Sequence, residues 1–301
     1  GALALITFIG ILNETSMNVT YPELASLFRV SLDVVQWITT GYLLMVTITM
    51  GTTAYLLRQF TARRLHLVAV TAFIVGDVLS AMAGNFPMLL IGRLIQSVAT
   101  GLATPILFHL IFTEIPREKL GAITGFAGMV ISFAPALGPT YGGFISEAFS
   151  WRMIFWLLLP LTLISLVDGQ LYIRNRPLGN DQSFSYGSLI TLALSLFAVV
   201  YACSIIGKSG FGLLFWGLLV AAVICFGLFI YINNHGHSQL FDLTVFKVKP
   251  LRLSTLTYFS LQFINIGISL VIPLYAQYVL HTSATVAGLI LLPGSVLGAF
   301  L

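Results

Sequence analysis

Charge is what this sequence has least of. Asp, Glu, Lys and Arg make up 8% of it, whereas a soluble domain carries about a quarter, which excludes a water-facing surface of ordinary polarity. Cysteine is nearly absent: Cys203 and Cys225 both fall in apolar runs, too few for a disulfide scaffold, and they read as two free, buried thiols. Metal-ligand clusters are missing as well. His235-Gly236-His237 has only Asp242 as a nearby acid, so no site is completed and the segment reads as a solvated loop. No Gly-x-Ser-x-Gly elbow marks a hydrolase nucleophile. The net charge of +4 is spread over separate loops, not gathered into a nucleic-acid-binding stripe. Low-complexity segments, short-period repeats and the soluble sensing module expected of a receptor are all lacking.

What the sequence has in abundance is long apolar runs. Apolar residues make up 58% of the chain and the mean hydropathy is +0.99. Runs near residues 1–20, 36–57, 65–83, 88–112, 121–149, 151–173, 184–206, 212–232, 253–280 and 284–301 approach or exceed the ~20 residues that a bilayer-spanning helix requires. The fold class expected is therefore an all-α polytopic membrane protein with about ten transmembrane helices. Both ends lie inside apolar runs, so the chain reads as a segment of a longer protein with its tenth span cut short. The first run contains Glu14 and no small-residue cleavage site, which argues against a signal peptide.

The 14 Lys and Arg residues give the orientation. Arg58, Arg63 and Arg64 follow the second span, Arg117 and Lys119 the fourth, Arg174 and Arg176 the sixth, and Lys247, Lys249 and Arg252 the eighth. If each run crosses once, all of these lie on one side, and only Arg29, Arg152 and Lys208 lie on the other. The positive-inside rule places the richer side, and the N-terminal end, in the cytoplasm.

Ionisable groups inside the spans need reasons, because each costs at least ~2.5 kcal/mol on insertion scales. Glu14 shares a helical stripe with Thr7, Asn18 and Tyr21; a desolvated glutamate there can take up and release protons, or simply be satisfied by a neighbouring donor. Arg93 shares a face with Gln96, Thr100 and Thr104, and can tune a nearby acid or serve as a structural arginine bonded to carbonyls. Asp77, mid-span, either faces a central cavity and assists cation recognition or meets a basic partner on another helix. Asp168 lies near the end of the sixth span, close in sequence to Arg174 and Arg176, and is expected at the interface. Asn13-Glu14-Thr15 and Asn18-Val19-Thr20 match a glycosylation pattern but lie within a span and are discarded.

Ala134-Pro135-Ala136-Leu137-Gly138-Pro139-Thr140-Tyr141-Gly142-Gly143 packs two prolines and three glycines into one apolar run. Interior proline costs about 3 kcal/mol in a soluble helix, but neighbouring helices can re-satisfy the freed backbone in a bilayer. Ala134, Gly138 and Gly142 recur every fourth residue and make a smooth face for close approach of another helix, with Pro135 and Pro139 beside it. That face is expected to meet a helix from later in the chain.

This Pro/Gly segment resembles the fifth-helix motif of antiporters in the major facilitator superfamily. Leu12-Asn13-Glu14-Thr15-Ser16-Met17-Asn18-Val19-Thr20-Tyr21-Pro22 resembles the first-helix motif of its fourteen-helix drug:proton antiporters, in the lincomycin-resistance-type branch. Many members have aspartate where this chain has Asn13, so the resemblance moves the proton-binding role to Glu14. Ile91-Gly92-Arg93-Leu94-Ile95-Gln96, followed by Gly101, is similar to the fourth-helix motif. The loop after the second span departs from the pattern: Arg58 stands at the usual acidic place and Thr61 at the usual glycine, while Arg63 and Arg64 keep the basic half and at the least set topology. Relatives usually have a small residue at Asp77.

The resemblance implies a major facilitator fold: residues 1–173 as an N-terminal six-helix half, 174–252 as two extra helices with their connecting loops, and 253–301 as the start of a C-terminal half. It implies a proton-coupled multidrug exporter of a bacterial cytoplasmic membrane, working by alternating access as a monomer. Protons are the coupling ion, no further cofactor is expected, and the partners are membrane lipid and small amphipathic or cationic drugs. Glu14, Arg93 and Asp77 would serve proton coupling. Pro135, Gly138, Pro139, Gly142 and Gly143 would form the antiporter motif. Substrate would meet Asn18, Gln36, Trp37 and Gln96, with Tyr258, Gln262 and Asn265 (and Ser269) on one stripe of the ninth span. The alternatives are a nutrient or metabolite carrier on the same fold or, further off, a polytopic membrane enzyme or receptor.

Overall fold

The computed structural model describes residues 1–173, 184–236, 239–240 and 242–300. In chain order these form α1 (Ala2–Ser16), a 3-10 turn (Met17–Thr20), α2 (Tyr21–Phe28), α3 (Leu32–Val35), α4 (Trp37–Gln59), α5 (Ala62–Ala81), α6 (Phe86–Glu114), α7 (Arg117–Ala148), α8 (Met153–Trp156) and α9 (Leu159–Tyr172). Then come α10 (Tyr186–Ser209), α11 (Leu213–His235), a second 3-10 turn (Leu243–Lys247), α12 (Lys249–Tyr278) and α13 (Ala284–Phe300). Among the described residues, nine helical stretches are long and apolar enough to cross a bilayer. The tenth expected span is α13, whose 17 residues fall short of the ~20 needed. Arg174, Arg176 and His237 lie outside the described residues.

Local chemistry sets the ends. Thr61 caps α5 by accepting from the Arg64 amide, and Asn85 caps α6 by accepting from the Met88 amide at 2.9 Å. The first span outruns its expected end at residue 20, because the helix tightens into the 3-10 turn and continues as α2. Ser16 and Thr20 hydroxyls bond back to the Asn13 and Met17 carbonyls at 2.9 and 2.8 Å, which stabilises the tighter turn. Pro22 follows at the start of α2, where its missing N–H is harmless. Arg29, left-handed at φ 53°, ends that helix. Asn13 and Asn18 are both buried, which leaves no room for a glycan.

Helices α1, α5, α6, α7 and α9 enclose one buried apolar cluster that includes Ile6, Phe73 and Ile106; Tyr21, Trp151 and Phe155 anchor a second at the other end of α1. Arg152 ties the loop before α8 to the α5–α6 turn, donating to the Ala83 carbonyl at 2.8 Å. The α10–α11 hairpin packs on the outside of α4, where Trp37 meets Phe197 and Tyr201 at ring separations of 6.2 and 6.3 Å. Lys208 pairs there with Asp33 at 2.6 Å. Both cysteines are free; Cys203 is exposed on the outer face of α10 and Cys225 is half-buried, so the expectation of two buried thiols fails for Cys203. The hairpin has too few neighbours to cover that face. Asp242 caps the second 3-10 turn through the Thr244 amide at 2.8 Å, and this hydrogen bonding holds its carboxyl below the usual range.

The Pro/Gly segment of α7 uses two faces, and the expectation for one of them is corrected. Ala134, Gly138 and Gly142 do not meet a later helix: a Cβ on Gly138 would strike Thr15, and one on Gly142 would strike the Ser16 carbonyl, both on α1. The face that meets α13 is the neighbouring one. A Cβ on Gly143 would lie 2.8 Å from the Ala284 carbonyl carbon, and one on Gly288 would lie 2.6 Å from that of Pro139. Thr140 donates to the Gly288 carbonyl at 3.3 Å, and Glu147 caps the start of α13 through the Thr285 amide at 3.2 Å. Gly142→Leu is therefore expected to disrupt the α1–α7 contact, with an overpacking cost of about 1–3 kcal/mol or more. Gly143→Leu should instead loosen α13 alone. Melting in detergent should fall for Gly142→Leu well beyond Gly143→Leu; equal losses would contradict this division of faces.

Candidate functional site

The site is a sealed polar cluster where α1, α5 and α6 meet. It exists because the α5 and α6 backbones touch. A Cβ on Gly76 would lie 2.6 Å from the Gly92 carbonyl oxygen, and one on Gly92 would lie 2.9 Å from the Ser80 amide nitrogen. This approach brings Asp77 of α5 against Gln96 of α6, one turn from Arg93. Asp77, Arg93, Asn13 and Gln96 are all buried at 0% exposure.

Two amides bridge the acid and the base. Arg93 Nη1 donates to Asn13 Oδ1 at 2.7 Å and to Gln96 Oε1 at 3.0 Å. Asn13 Nδ2 donates to Asp77 Oδ1 at 3.1 Å, and Gln96 Nε2 donates to the same oxygen. Each amide thus accepts from the cation and donates to the anion, an orientation fixed by the charges, since a flip would set an NH2 group against the guanidinium. The face of Arg93 lies against Tyr42, with Cζ 4.4 Å from the ring centroid. Tyr42 is itself held by the Gly10 carbonyl at 3.1 Å and Thr100 at 2.7 Å. Three groups stay unpartnered: Asp77 Oδ2, Arg93 Nε and Arg93 Nη2. Most buried polar atoms in folded proteins are paired, so three unpaired ones in a single cluster are unusual.

The sequence-predicted residues divide sharply. Arg93, Asp77 and Gln96 come together. Asp77 is fully buried and meets its basic partner through the two amides. Asn13 is the fourth member; an amide inside an apolar span, beside the more conspicuous charge of Glu14, is its signal in the sequence. Glu14 is partly exposed and has no hydrogen bond or ion pair among the described residues, but it lies near enough to Arg93 for the two charges to interact. Asn18 is buried and accepts from Thr39 at 3.1 Å, in a chain continued by Tyr21. Gln36 is partly exposed at the start of α4, and Trp37 is turned to α10. On α12, Tyr258 and Asn265 are exposed, Gln262 donates to the Tyr258 hydroxyl at 3.3 Å, and no described helix faces them. Arg63 donates to Gln170 Oε1 at 3.2 Å, Arg64 lies in the first turn of α5, and Arg58 closes α4. Asp168 is partly exposed beside a cavity at the Gly1 end of α1.

Removing one of two buried opposite charges strands the other, and for directly paired ions the cost is about 3–5 kcal/mol. Asp77→Ala and Arg93→Met should each lower the melting temperature in detergent strongly, and the double variant should recover much of the loss. Additive losses would mean that the two charges do not sense one another.

The profile of the Major Facilitator Superfamily matches residues 3–301. The lincomycin resistance protein LmrB of Listeria monocytogenes is 37% identical over 300 residues, covering 98% of this chain and 63% of that protein. Multidrug resistance protein 3 of Bacillus subtilis is 28% identical over 276 residues, covering 90% and 54%. A crystal structure of the peptide transporter POT in complex with sulfate superposes with a TM-score of 0.59 at 15% identity, over 97% of this chain and 65% of that one. This chain therefore spans less than two thirds of the length of each. A multi-helix bundle with a charge pair sealed between its first helices, and a sequence matched almost end to end, give one assignment: the chain belongs to the Major Facilitator Superfamily.

Proposed function

We propose that this chain is part of a proton-coupled multidrug exporter that exchanges protons for drugs by alternating access across a bacterial cytoplasmic membrane. The observation that carries the reading is the doubly bridged Asp77–Arg93 pair. A buried guanidinium stays charged, so among the four hydrogen-bonded side chains the charge is balanced only while Asp77 is ionised. A proton arriving at Asp77 has unused lone pairs to bind on Oδ2. Neutral Asp77 then leaves Arg93 with Glu14 as its other nearby acid and no carboxylate joined to it through the amides, in a medium where a poorly compensated charge costs several kcal/mol. The favourable response is a shift of α1, α5 and α6 that returns Arg93 to water or to another acceptor. Loss of the proton restores the sealed state.

Support comes from three further directions. The ten basic residues of the Gly1 side support a cytoplasmic N-terminal end by the positive-inside rule. The two faces of α7 join α1 to α13 without space between backbones, which suits a rocking contact between two bodies. The similar proteins are named for resistance to lincomycin and to multiple drugs, and the superposed structure is a transporter, not an enzyme.

The test is proton release by the full-length protein in weakly buffered detergent. Addition of either tetraphenylphosphonium or chloramphenicol is expected to release protons, and Asp77→Asn is expected to abolish the release. Drug binding with no proton release in the wild type would refute proton-coupled exchange and favour a simple carrier.

A further inference from the structure

We infer that the 3-10 turn Met17–Thr20 is a hinge that rewinds to α-helix when the outer side opens, and that Gln277 of α12 is the latch holding it in the form seen here; this rests on the exporter reading above. Helix α1 runs into the turn and α2 leaves it without a loop, and 3-10 geometry inside a long helix often marks a hinge. All four residues of the turn are buried. Three other helices converge on it. Asn18 accepts from Thr39 of α4 at 3.1 Å, Gly142 of α7 lies against the Ser16 carbonyl, and Gln277 Nε2 donates to the Val19 carbonyl at 3.1 Å.

Pro22 is the reason that the Val19 carbonyl is open to α12. In 3-10 geometry its partner would be the amide of residue 22, and proline has none. In an unbroken α-helix the partner would be the Glu23 amide, but α2 begins only at Tyr21. The α form in turn leaves the Asn18 carbonyl without the Pro22 amide. Neither form is fully bonded from within, so a donor from outside tips the balance. Gln277 is that donor, and it occupies a place that the α form takes away. The Ser16 and Thr20 hydroxyls, bonded back to the Asn13 and Met17 carbonyls, favour the same tight form.

Rewinding has a defined consequence. Four residues shorten by about 2 Å and turn by about 80° on passing from 3-10 to α geometry. Tyr21 and Leu24 of α2 are buried in the second apolar cluster, so α1 takes up the motion. Asn13 on α1 bridges Asp77 and Arg93, and the turn stays tight until that bridge is given up. The packing of α12 places the opening at this end. Its residues from Leu251 to Leu261 are exposed, whereas Pro273 and Ala276 are buried and Leu270 and Leu274 pack on the cluster of Tyr21 and Trp151. Among the described residues α12 is therefore attached to the N-terminal helices by its outer part, and the Gln277–Val19 bond lies within that attachment.

The experiment measures electron–electron distances between spin labels at Ser26 of α2 and Val279 after α12, both exposed. It uses the full-length protein in lipid nanodiscs, with Cys203, Cys225 and any other cysteine replaced. Gln277→Leu is expected to move the ratio of longer to shorter distances by about two- to tenfold, the worth of one hydrogen bond, with melting close to wild type. Pro22→Ala should act in the same direction, because residue 22 then completes the α form. The double variant should add little to the larger single shift, since both changes release the same carbonyl. Should Pro22→Ala not fold, Thr20→Val, which removes a bond of the tight form, takes its place with the same expectation. Distances unaltered by Gln277→Leu would overturn the latch, and additive shifts would overturn the hinge. Failure of the exporter reading has a different signature: the distances respond to Gln277→Leu, but drug binding to the wild type releases no protons.

Discussion

A guanidinium shut away from water must be neutralised where it stands, and much of the N-terminal bundle is arranged around that requirement. Arg93 cannot shed its proton and cannot reach solvent from a position at 0% exposure. Its balance comes from Asp77 on a different helix, and the connection runs through Asn13 on a third. Three helices are therefore bound by one electrostatic condition. The glycine contact at Gly76 and Gly92 is the steric counterpart of that condition, because any side chain there would hold α5 and α6 too far apart for Gln96 to reach Asp77.

The same economy of space governs α7. Its small residues are often read as a single smooth stripe, yet adjacent positions serve different partners: Gly142 lies on the Ser16 backbone and Gly143 on that of Ala284. A helix clasped on two sides by backbone, with no side chains to act as cushions, transmits displacement instead of absorbing it. On the proposed mechanism, a movement of α1 would pass through Thr15 and Ser16 to α7, and from α7 to α13. Glu147, capping α13 at the end of this path, gives the contact a polar anchor.

The membrane architecture was legible in the sequence because apolar run length answers directly to bilayer thickness, and the basic loops repeat the same side. The three intramembrane charges were legible too, since burial in lipid makes any ionisable residue conspicuous. Their pairing was not. Helical spacing put Glu14 with Thr7, Asn18 and Tyr21, but which of two neighbours in sequence, Asn13 or Glu14, hydrogen-bonds Arg93 depends on a helix rotation of about 100°, and in the structure it is Asn13. The faces of α7 escaped for the same reason: a period of four finds a stripe without naming what it touches. An aromatic near a span end suggests a substrate contact from sequence alone, and spacing within α4 does not announce that Trp37 packs on Phe197 and Tyr201 of the α10–α11 hairpin.

The central claim is that Asp77 is the ionised counter-charge of Arg93 and the acid that accepts the proton. Infrared difference spectra of the full-length protein, recorded on acidification, test this most directly. A protonated-carboxyl stretch should appear in the wild type, disappear from the Asp77→Asn spectrum, and shift on 13C-carboxyl labelling of aspartate alone. A spectrum that Asp77→Asn leaves unaltered would contradict the account.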